Sequence, residues 1–528
     1  MSLIDDILKF TKSVPFASKY INRFVTNRIC KAIKPRPRAF SLWSHIPKPS
    51  PIDEQGPVGE YTTWPMLTDR LYSARHLPPA NQTYIDQLPA DEPYDPSKGT
   101  IGNVTALFAR TDDMTKGRSS SLFMFFAQWF TDSVLRIDPT DRRKNTSNHN
   151  IDLCQIYGLK ESTANILRTK KDGKLRSQII NGEEYLDHLG EVDSGGKWRV
   201  KDHYKSLPYA SDEKIQIIFG QWDESRKHSL YATGLERGNS SIGYVAISTI
   251  FMREHNRICD ELSKRYPSWD DERLFQTARM INTVILMKLV VQDYINHIVG
   301  HDLFYLDHKF AESRDWYRTP WIALEFDLLY RWHGLVPDEI KIGDTVYDHT
   351  QYRVNNALLE KAGIGSVINA VSQQHAGKIS LLNVPNFLLG AEYATIKMGR
   401  DFRLCSYNDY RELFNFDRLS SFEQLTDDKN LRDSLEKLYG NVGNIEFIVG
   451  LFAQRHKKDG LFGDLMYSMV AYDAFTQIYT NPLLSTNVYN ANTFSEYGLE
   501  IIDATNTVQE LVDRNNHSQA SVTAKFSM

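Results

Sequence analysis

The sequence predicts one large, mainly α-helical domain with few short strands. Long stretches with the apolar spacing of helices dominate the chain from residue 120 onward. Strand-like runs are short, as in KIQIIFG and DTVYD. No internal repeat is visible at the periods typical of solenoids and propellers. A chain of 528 residues could form about three to four domains, but these patterns favour a single one.

The composition excludes several classes of protein. The chain is 41% hydrophobic, 24% charged and 12% aromatic, which is typical of a soluble globular enzyme and not of a disordered or coiled-coil protein. A net charge of −4 gives no basic field for nucleic acids. The four cysteines are scattered without a CxxC motif, so neither a disulfide framework nor a thiolate zinc site is expected. We also expect no membrane-spanning segment, since no sufficiently long apolar stretch is present.

The helical patterns follow one another along the chain. SSLFMFFAQWFTDSVLRI is apolar nearly all round, which predicts a buried helix. DDERLFQTARMINTVILMKLVVQDYINHIVG begins with acids that suit a helix N-terminus. WIALEFDLLYRWHGLVP is predicted to end at Gly334 and Pro337. Further helices are expected in SIGYVAISTIFMREHNRICDELSKRY, SFEQLTDDKNLRDSLEKLYG and GLFGDLMYSMVAYDAFTQIY.

Residues 1–38 form a basic amphipathic segment that allows two interpretations. Apolar residues recur at helical spacing, with nine lysines and arginines between them and only two acids. Such a segment can lie in a membrane interface, or it can be an ordinary helix docked on the protein. The segment lacks the pattern of a signal peptide, so a cytoplasmic protein is expected, peripheral at a membrane under the first interpretation. Residues 39–100 read as a Pro-rich irregular lead-in, 101–510 as the main domain and 511–528 as a polar tail.

Three polar clusters could carry chemistry. Tyr330 and His333 are three residues apart near a helix end, so a histidine bound to a heme iron would hold the tyrosine within electron-transfer range. Gln128 and Asp132 are one turn apart on an apolar helix and could orient a small ligand such as a peroxide. Each pair also has a structural interpretation: a satisfied core tyrosine and histidine, and an aspartate that meets an arginine. For the third cluster, FMREHNR, we favour a salt-bridge network that supports a cavity.

The chain resembles the cyclooxygenase branch of the heme peroxidase superfamily. The matching stretches run in the family's order over roughly residues 60–500 and include FFAQWFT, IDLCQIYG, KDGKLRSQIINGEEY, FMREHNRICDELSKRY, QDYINHIVG, LEFDLLYRWHGLVP, YNDYREL, SFEQLT and FGDLMYSM. In size, and in lacking the family's disulfide-rich extracellular module, the chain looks most like the cyanobacterial linoleate 10S-dioxygenases. The resemblance implies a heme-peroxidase-like helical domain over residues 101–510, with heme b as cofactor.

The resemblance assigns roles to several residues. It implies that Tyr330 is the radical-forming tyrosine, that His333 is the axial ligand of the heme iron, and that Trp332 is the aromatic between them. Tyr294 matches the tyrosine that hydrogen-bonds the radical tyrosine. On the distal side Gln128 is present, but Asp132 stands where the family has a histidine. Since that histidine acts in general acid–base catalysis of O–O cleavage, weak or absent peroxidase activity is expected.

The resemblance also places a fatty-acid channel. Ala474 stands where the family has its channel serine, and His301 where it has the channel-mouth tyrosine that binds the carboxylate. For the arginine that pairs with that tyrosine in the family, Arg36 and Arg38 lie in the matching region. The remaining channel residues implied are Tyr294, Ile295, Ile298, Phe326, Met466 and Val470.

The function implied is that of a heme-dependent dioxygenase. It would convert a polyunsaturated fatty acid and O2 to a fatty-acid hydroperoxide through a tyrosyl radical. Two alternatives stay open: a heme peroxidase that uses hydrogen peroxide on small donors, and a non-catalytic heme- or lipid-binding protein. The sequence contains no signal for an oligomeric interface.

Overall fold

Helices dominate the computed structural model, which describes residues 15–33, 73–147, 149–317, 321–457, 460–518 and 520–528. The helices there are α1 (Pro15–Cys30), α2 (Gln82–Asp86), α3 (Ser121–Thr131), α4 (Cys154–Tyr157), α5 (Glu161–Leu167), α6 (Asp212–Phe219), α7 (Ile242–Arg265), α8 (Asp271–Leu289), α9 (Asn296–Val299), α10 (Leu324–Leu329), α11 (His349–Tyr352), α12 (Asn356–Ala362), α13 (Ile364–Ser372), α14 (Leu389–Asp401), α15 (Tyr407–Leu413), α16 (Phe422–Leu425), α17 (Lys429–Tyr439), α18 (Phe447–Ala453), α19 (Asp464–Tyr479), α20 (Ala491–Asp503) and α21 (Val508–Asn515).

The strands form only two-stranded antiparallel pairs in this part of the chain. The strands are β1 (Lys116–Ser120), β2 (Ser177–Ile180), β3 (Glu183–Leu186), β4 (Gly190–Val192), β5 (Trp198–Val200), β6 (Glu339–Ile342), β7 (Thr345–Asp348) and β8 (His375–Gly377). They pair as β1–β8, β2–β3, β4–β5 and β6–β7. The β2–β3 turn has positive φ at both Asn181 and Gly182, as a tight hairpin requires. The prediction of a mainly α-helical domain with few short strands is confirmed.

Helices α3 and α7 cross at the centre of the core. Helix α3 begins where the Ser120 side chain accepts a hydrogen bond from the backbone N–H of Phe123, a normal N-cap. The Trp129 ring stacks on Phe251 of α7 at 4.7 Å. A Cβ atom at Gly243 would lie 2.3 Å from the Phe125 ring, so the glycine allows the two helices to approach closely. The predicted buried helix is confirmed.

Helix α8 continues into a π-helical turn and then into α9. The turn covers Val290–Ile295 and contains Tyr294; such turns re-aim side chains and are frequent at functional sites. The combined helix, Asp271–Val299, is long and apolar enough to cross a membrane, but 83% of its most apolar window is buried inside the fold. It is therefore a core helix, which is why its sequence lacks a polar face.

Helix α1 docks on the domain by its polar residues. The Arg23 guanidinium pairs with Asp307 at 2.6 Å, and Trp316 donates its indole N–H to the side chain of Asn27. Tyr20 and Phe24 are nevertheless 58% and 66% exposed. The rest of the predicted segment 1–38 lies outside the described residues. Of the predicted irregular lead-in 39–100, residues 73–100 are described and contain only the short helix α2 and isolated bridges.

The segment 511–528 is packed on the domain and is not the polar tail that the sequence predicted. It includes the end of α21 and continues to Phe526, whose backbone carbonyl accepts a hydrogen bond from Ser120. The Phe526 ring is buried against Phe126 at 5.0 Å and against Tyr294 at 6.1 Å. The prediction failed because three spaced apolar residues, Val522, Ala524 and Phe526, bury this segment although its average composition is polar.

Candidate active site

Tyr330, Trp332 and His333 lie just beyond the end of α10. The helix ends at Leu329, earlier than the predicted stop at Gly334, and His333 begins a separate short 3₁₀ turn. The Tyr330 ring stacks on Trp332 with centroids 4.2 Å apart and meets Phe326 edge-on at 5.0 Å. Stacking across the helix end therefore holds the Tyr330 ring against Trp332, the residue before His333.

His333 is oriented by a buried carboxylate. Its Nδ1 lies 2.7 Å from Oε1 of Glu392 on α14, and Glu392 is fully buried. The imidazole is 22% exposed, and its Nε2 makes no hydrogen bond within the described part of the chain. A metal-bound histidine commonly donates its second ring N–H to a carboxylate in this way. We call Tyr330, Trp332, His333 and Glu392 the proximal side.

A second observation also fits heme bound at the proximal side. Two buried polar atoms beside His333, the Trp332 indole Nε1 and the Glu392 Oε2, have no hydrogen-bond partner among the described residues. Unsatisfied buried polar atoms are rare in a finished fold and call for an explanation. A polar ligand bound next to these two side chains would account for them. Sequence reasoning missed Glu392, although an acid within the mostly apolar run NFLLGAEYATI is a signal for it.

Tyr294 faces Tyr330 from the π-helical turn. Burial raises the pKa of both phenols well above the ordinary value. The neighbouring Tyr294 lowers the pKa of Tyr330 in part, whereas the neighbouring Tyr330 raises the pKa of Tyr294 further. The Tyr294 hydroxyl has no hydrogen bond of standard geometry, so the two phenols are neighbours without a strong bond. Phe123 stacks on Tyr294 at 5.0 Å and fixes its ring. Both tyrosines are therefore neutral phenols at physiological pH.

The distal side, defined as Gln128 and Asp132, is arranged differently from its prediction. Gln128 is exposed on α3, whereas Asp132 follows the last residue of that helix and is buried. The Asp132 carboxylate accepts a hydrogen bond from Tyr244 at 2.8 Å and lies 3.6 Å from Arg237. Burial raises its pKa, against the effect of Arg237 and Tyr244. The two side chains do not share a buried cavity, and the alternative interpretation of an aspartate that meets an arginine is confirmed.

The predicted channel residues are apolar and buried, apart from His301. Met466, Val470 and Ala474 recur every four residues on one face of α19. The other buried members are Tyr294, Ile295, Ile298 and Phe326. His301 is exposed just beyond α9, as a residue at a channel mouth would be. Arg36 and Arg38 lie outside the described residues.

The cluster FMREHNR forms the expected salt-bridge network. The Arg253 guanidinium binds the backbone carbonyls of Glu184 and Asn515 and the carboxylate of Glu183. The buried Glu254 is paired with Arg257 and Arg514. Both ends of this network tie α7 to neighbouring segments, so its role is structural.

The chain matches known proteins over most of its length. The family model described as animal haem peroxidase matches residues 93–526. Prostaglandin G/H synthase 2 of Equus caballus is 33% identical over 402 residues, which cover 75% of this chain and 63% of the relative. The same synthase of Cavia porcellus is 30% identical over 461 residues, covering 86% and 72%. The chain thus spans less than two thirds of the horse protein's length and more than two thirds of the guinea-pig protein's.

A solved structure shares the fold. The fatty acid alpha-dioxygenase of Oryza sativa superposes with a TM-score of 0.67 over 97% of this chain and 93% of that protein, at 17% identity. The family model covers about four fifths of the sequence. The chain belongs to the animal haem peroxidase family, and its cofactor is heme.

Proposed function

We propose that this protein is a heme-dependent dioxygenase that converts a polyunsaturated fatty acid, linoleate or a similar one, and O2 to a fatty-acid hydroperoxide. The observation that carries the proposal is the proximal side: a partly buried tyrosine whose ring stacks on Trp332, the residue before a histidine whose Nδ1 is held by Glu392. His333 would hold heme b, oriented by Glu392. The prostaglandin synthases and the alpha-dioxygenase among the similar proteins support the fatty-acid class.

Tyr330 would exchange one hydrogen atom with the substrate. Bound heme supplies one-electron oxidation at the start, and the oxidised Tyr330 then takes a hydrogen atom from an activated methylene. O2 adds to the carbon radical, and Tyr330 returns a hydrogen atom to the peroxyl radical. The sum is one fatty acid and one O2 giving one hydroperoxide. Because burial keeps the Tyr330 phenol protonated at rest, the first oxidation removes a proton from it together with the electron.

The fatty acid would lie along an apolar wall. Met466, Val470 and Ala474 form one buried face of α19, and Phe326 contacts the ring of Tyr330. Such a wall excludes water and holds the methylene near the phenol. His301, exposed beyond α9, is proposed to meet the carboxylate, since an unpaired buried carboxylate is costly.

The pairing of Asp132 is a reason to propose that peroxidase activity is weak or absent. Its carboxylate is occupied by Tyr244 and Arg237, so it is not free to move a proton for a bound peroxide. A peroxidase acting on small donors is therefore the less favoured function. A protein that binds heme or lipid without turnover is distinguished by the experiment below.

The test is Tyr330→Phe, which removes the hydroxyl and keeps the ring. We expect oxygen uptake with linoleate to fall to background while the heme spectrum is unchanged. Tyr204→Phe is the matched control, because Tyr204 is another buried tyrosine whose hydroxyl donates to Asp187 on a different element. Mass spectrometry of the product identifies the hydroperoxide. Uptake retained in Tyr330→Phe, or absent in the unmodified protein, contradicts the proposal.

We further propose that the protein is cytoplasmic and contacts membranes peripherally through α1. Tyr20 and Phe24 are one turn apart and both exposed, so the helix has an apolar patch beside its cations. Vesicles that contain anionic lipid should bind the protein, and Tyr20→Ser with Phe24→Ser should weaken binding several-fold. Equal sedimentation of the double variant and the unmodified protein with the vesicles would contradict a role for this patch.

A further inference from the structure

Four phenylalanine rings surround the ring of Tyr294. Three of them lie on one face of α3, with ring centroids 5.0, 5.5 and 5.8 Å from that of Tyr294: Phe123, Phe126 and Phe130. The fourth is Phe526, which is 2% exposed and meets the Tyr294 ring edge-on at 6.1 Å. The Tyr294 hydroxyl makes no hydrogen bond of standard geometry within the described part of the chain. Packing against these rings therefore holds the Tyr294 side chain in place.

The segment 522–528, which carries Phe526, is bound to the strand that leads into α3. The backbone N–H of Ser120 donates to the carbonyl of Phe526 at 2.7 Å, and the backbone N–H of Met528 donates to the carbonyl of Arg118 at 2.9 Å. Both partners on the other side belong to β1, which ends where α3 begins. The Phe526 ring is thus fixed relative to the helix that supplies the other three rings.

Strand β1 also holds the helix that follows the π-helical turn. The hydroxyl of Ser119 lies 2.8 Å from Nε2 of His297 on α9, and the guanidinium of Arg118 donates to the carbonyl of Ile298 at 3.1 Å. The Phe526 ring lies 6.3 Å from the His297 ring. A π-helical turn departs from regular helix geometry and re-aims its side chains. Here the strand and the segment together fix both the turn's aromatic side chain and the helix beyond it.

The same group of rings extends to Tyr330. The Phe526 ring meets Phe123 edge-on at 5.9 Å, and Phe123 lies nearly parallel to Trp332 at 6.4 Å. Trp332 in turn stacks on Tyr330 at 4.2 Å, and Tyr294 faces Tyr330 from the turn. Because closely packed interiors transmit displacements from one side chain to the next, the position of Phe526 affects the position of the Tyr330 ring.

We propose that Phe526 is a positioning residue for Tyr330. It closes the fourth side of the enclosure around Tyr294 and supports Phe123, and so it keeps the Tyr330 phenol in the orientation from which it takes a hydrogen atom from the fatty acid. A displacement of about 1 Å at the reacting atoms can cost about 100-fold in rate, so support from behind the reacting side chain matters. This inference rests on the proposed function of Tyr330.

The first test is Phe526→Ala, which removes the ring and leaves Tyr294 room to turn. We expect kcat for oxygen uptake with linoleate to fall about tenfold, with the KM for linoleate unchanged. The matched control is Phe275→Ala on α8. Phe275 is 1% exposed and meets another buried tyrosine, Tyr157, edge-on at 5.8 Å. The control opens a similar cavity beside a tyrosine outside the site, so its kcat should stay at the unmodified value.

The second test reads the orientation of the Tyr330 ring directly. In electron paramagnetic resonance the splitting of a tyrosyl radical by its β-hydrogens depends on how far the ring is turned about the Cβ–Cγ bond. We expect the radical formed after a hydroperoxide is added to heme-loaded protein to have an altered or broadened splitting in Phe526→Ala. Phe526→Leu, which fills most of the space without a ring, should show a smaller change. Phe275→Ala should give the unmodified spectrum, since a loss of stability alone does not turn the ring.

The outcomes separate this inference from the proposed function. The inference requires both the lower kcat and the altered spectrum, and a folded Phe526→Ala that lacks either one, or that has a raised KM and an unchanged kcat, overturns it. If Phe526→Ala does not fold, as judged by heme binding, Phe526→Leu decides by the same two readouts. If the unmodified protein takes up no oxygen, or forms the same radical after Tyr330→Phe, the proposed function itself fails.

Discussion

The proximal and distal sides use buried carboxylates in opposite ways. On the proximal side Glu392 binds Nδ1 of His333, and within the described part of the chain its Oε2 has no hydrogen-bond partner. On the distal side both oxygens of Asp132 have partners, one in Tyr244 and one in Arg237. The first arrangement is incomplete without a ligand, whereas the second is complete as it stands. The unfilled hydrogen-bonding capacity beside His333 is consistent with a ligand bound on the proximal side.

The largest effect on heme binding is expected from loss of the His333 imidazole on the proximal side. His333→Ala removes the axial ligand, and we expect the affinity for heme to fall more than about 100-fold, since second-shell changes alone cost up to that amount. Titration of heme followed by its Soret absorbance measures this. His228→Ala, at an exposed histidine, is the control. Unchanged heme affinity in His333→Ala would show that His333 does not bind the heme, so the proximal side would not differ from the distal side in this respect.

Glu392→Gln tests whether the carboxylate orients the ligand. The amide keeps the size of the side chain but loses the charge that fixes the His333 ring, so heme should bind about 10- to 100-fold more weakly. The same Soret titration measures the affinity, and a shift in the reduction potential of the bound heme gives a second readout. If Glu392→Gln binds heme as the unmodified protein does, the short contact with His333 is only structural.

The features that could be predicted from sequence were those that depend on local spacing. The helix containing Gln128 and the long apolar helix ending near Tyr294 follow from periodicity, and the predicted strand DTVYD contains β7. The other predicted strand, KIQIIFG, was wrong, because this run lies in helix α6. The network around Arg253 could also be foreseen, because several charges follow one another on a helix. The roles of Tyr330 and His333 came from the family resemblance, since their spacing alone favoured a structural interpretation.

The features that could not be predicted depend on contacts between distant segments. Glu392 lies 59 residues from His333, and Tyr244 lies 112 residues from Asp132, so no spacing rule connects either pair. The packing of Phe526 against Tyr294 likewise requires the tertiary fold. Sequence patterns can show that a polar residue is unusual in an apolar helix, but the partner that satisfies it is fixed only by the fold.

Asp132→His tests whether the missing distal histidine limits peroxidase activity. An imidazole there could move a proton for a bound peroxide, a role worth about 10²–10⁴-fold in favourable geometry. Because Tyr244 and Arg237 are arranged for a carboxylate, we expect only about a tenfold gain in peroxide-dependent oxidation of a small donor. Asp132→Asn is the control and should show no gain. A histidine variant no more active than the asparagine variant would show that more than this residue is missing.

A smaller effect is expected at Asp293, which precedes Tyr294 on the π-helical turn. Burial raises its pKa to about 6, against the backbone N–H of Val508 at 2.7 Å. The folded state therefore holds a proton that the unfolded state releases near pH 4, so this group's contribution to stability falls as the pH rises from about 4 to about 6 and then stays level. Asp293→Asn mimics the neutral form and keeps an acceptor for Val508. It should be more stable than the unmodified protein by at most about 3 kcal/mol at pH 8.

Urea unfolding at pH 4 and pH 8 measures this difference. Groups that titrate elsewhere cancel when the two proteins are compared at the same pH, so the gain of Asp293→Asn should be small at pH 4, grow between pH 4 and 6, and reach its full size above about pH 6. The same gain at both pH values would mean that the substitution acts through packing and not through charge. A gain that grows as the Asp293 carboxyl ionises would show that the fold favours the neutral form of this acid, in contrast to the carboxylates of the proximal and distal sides, which lie beside cationic or ligand-binding groups.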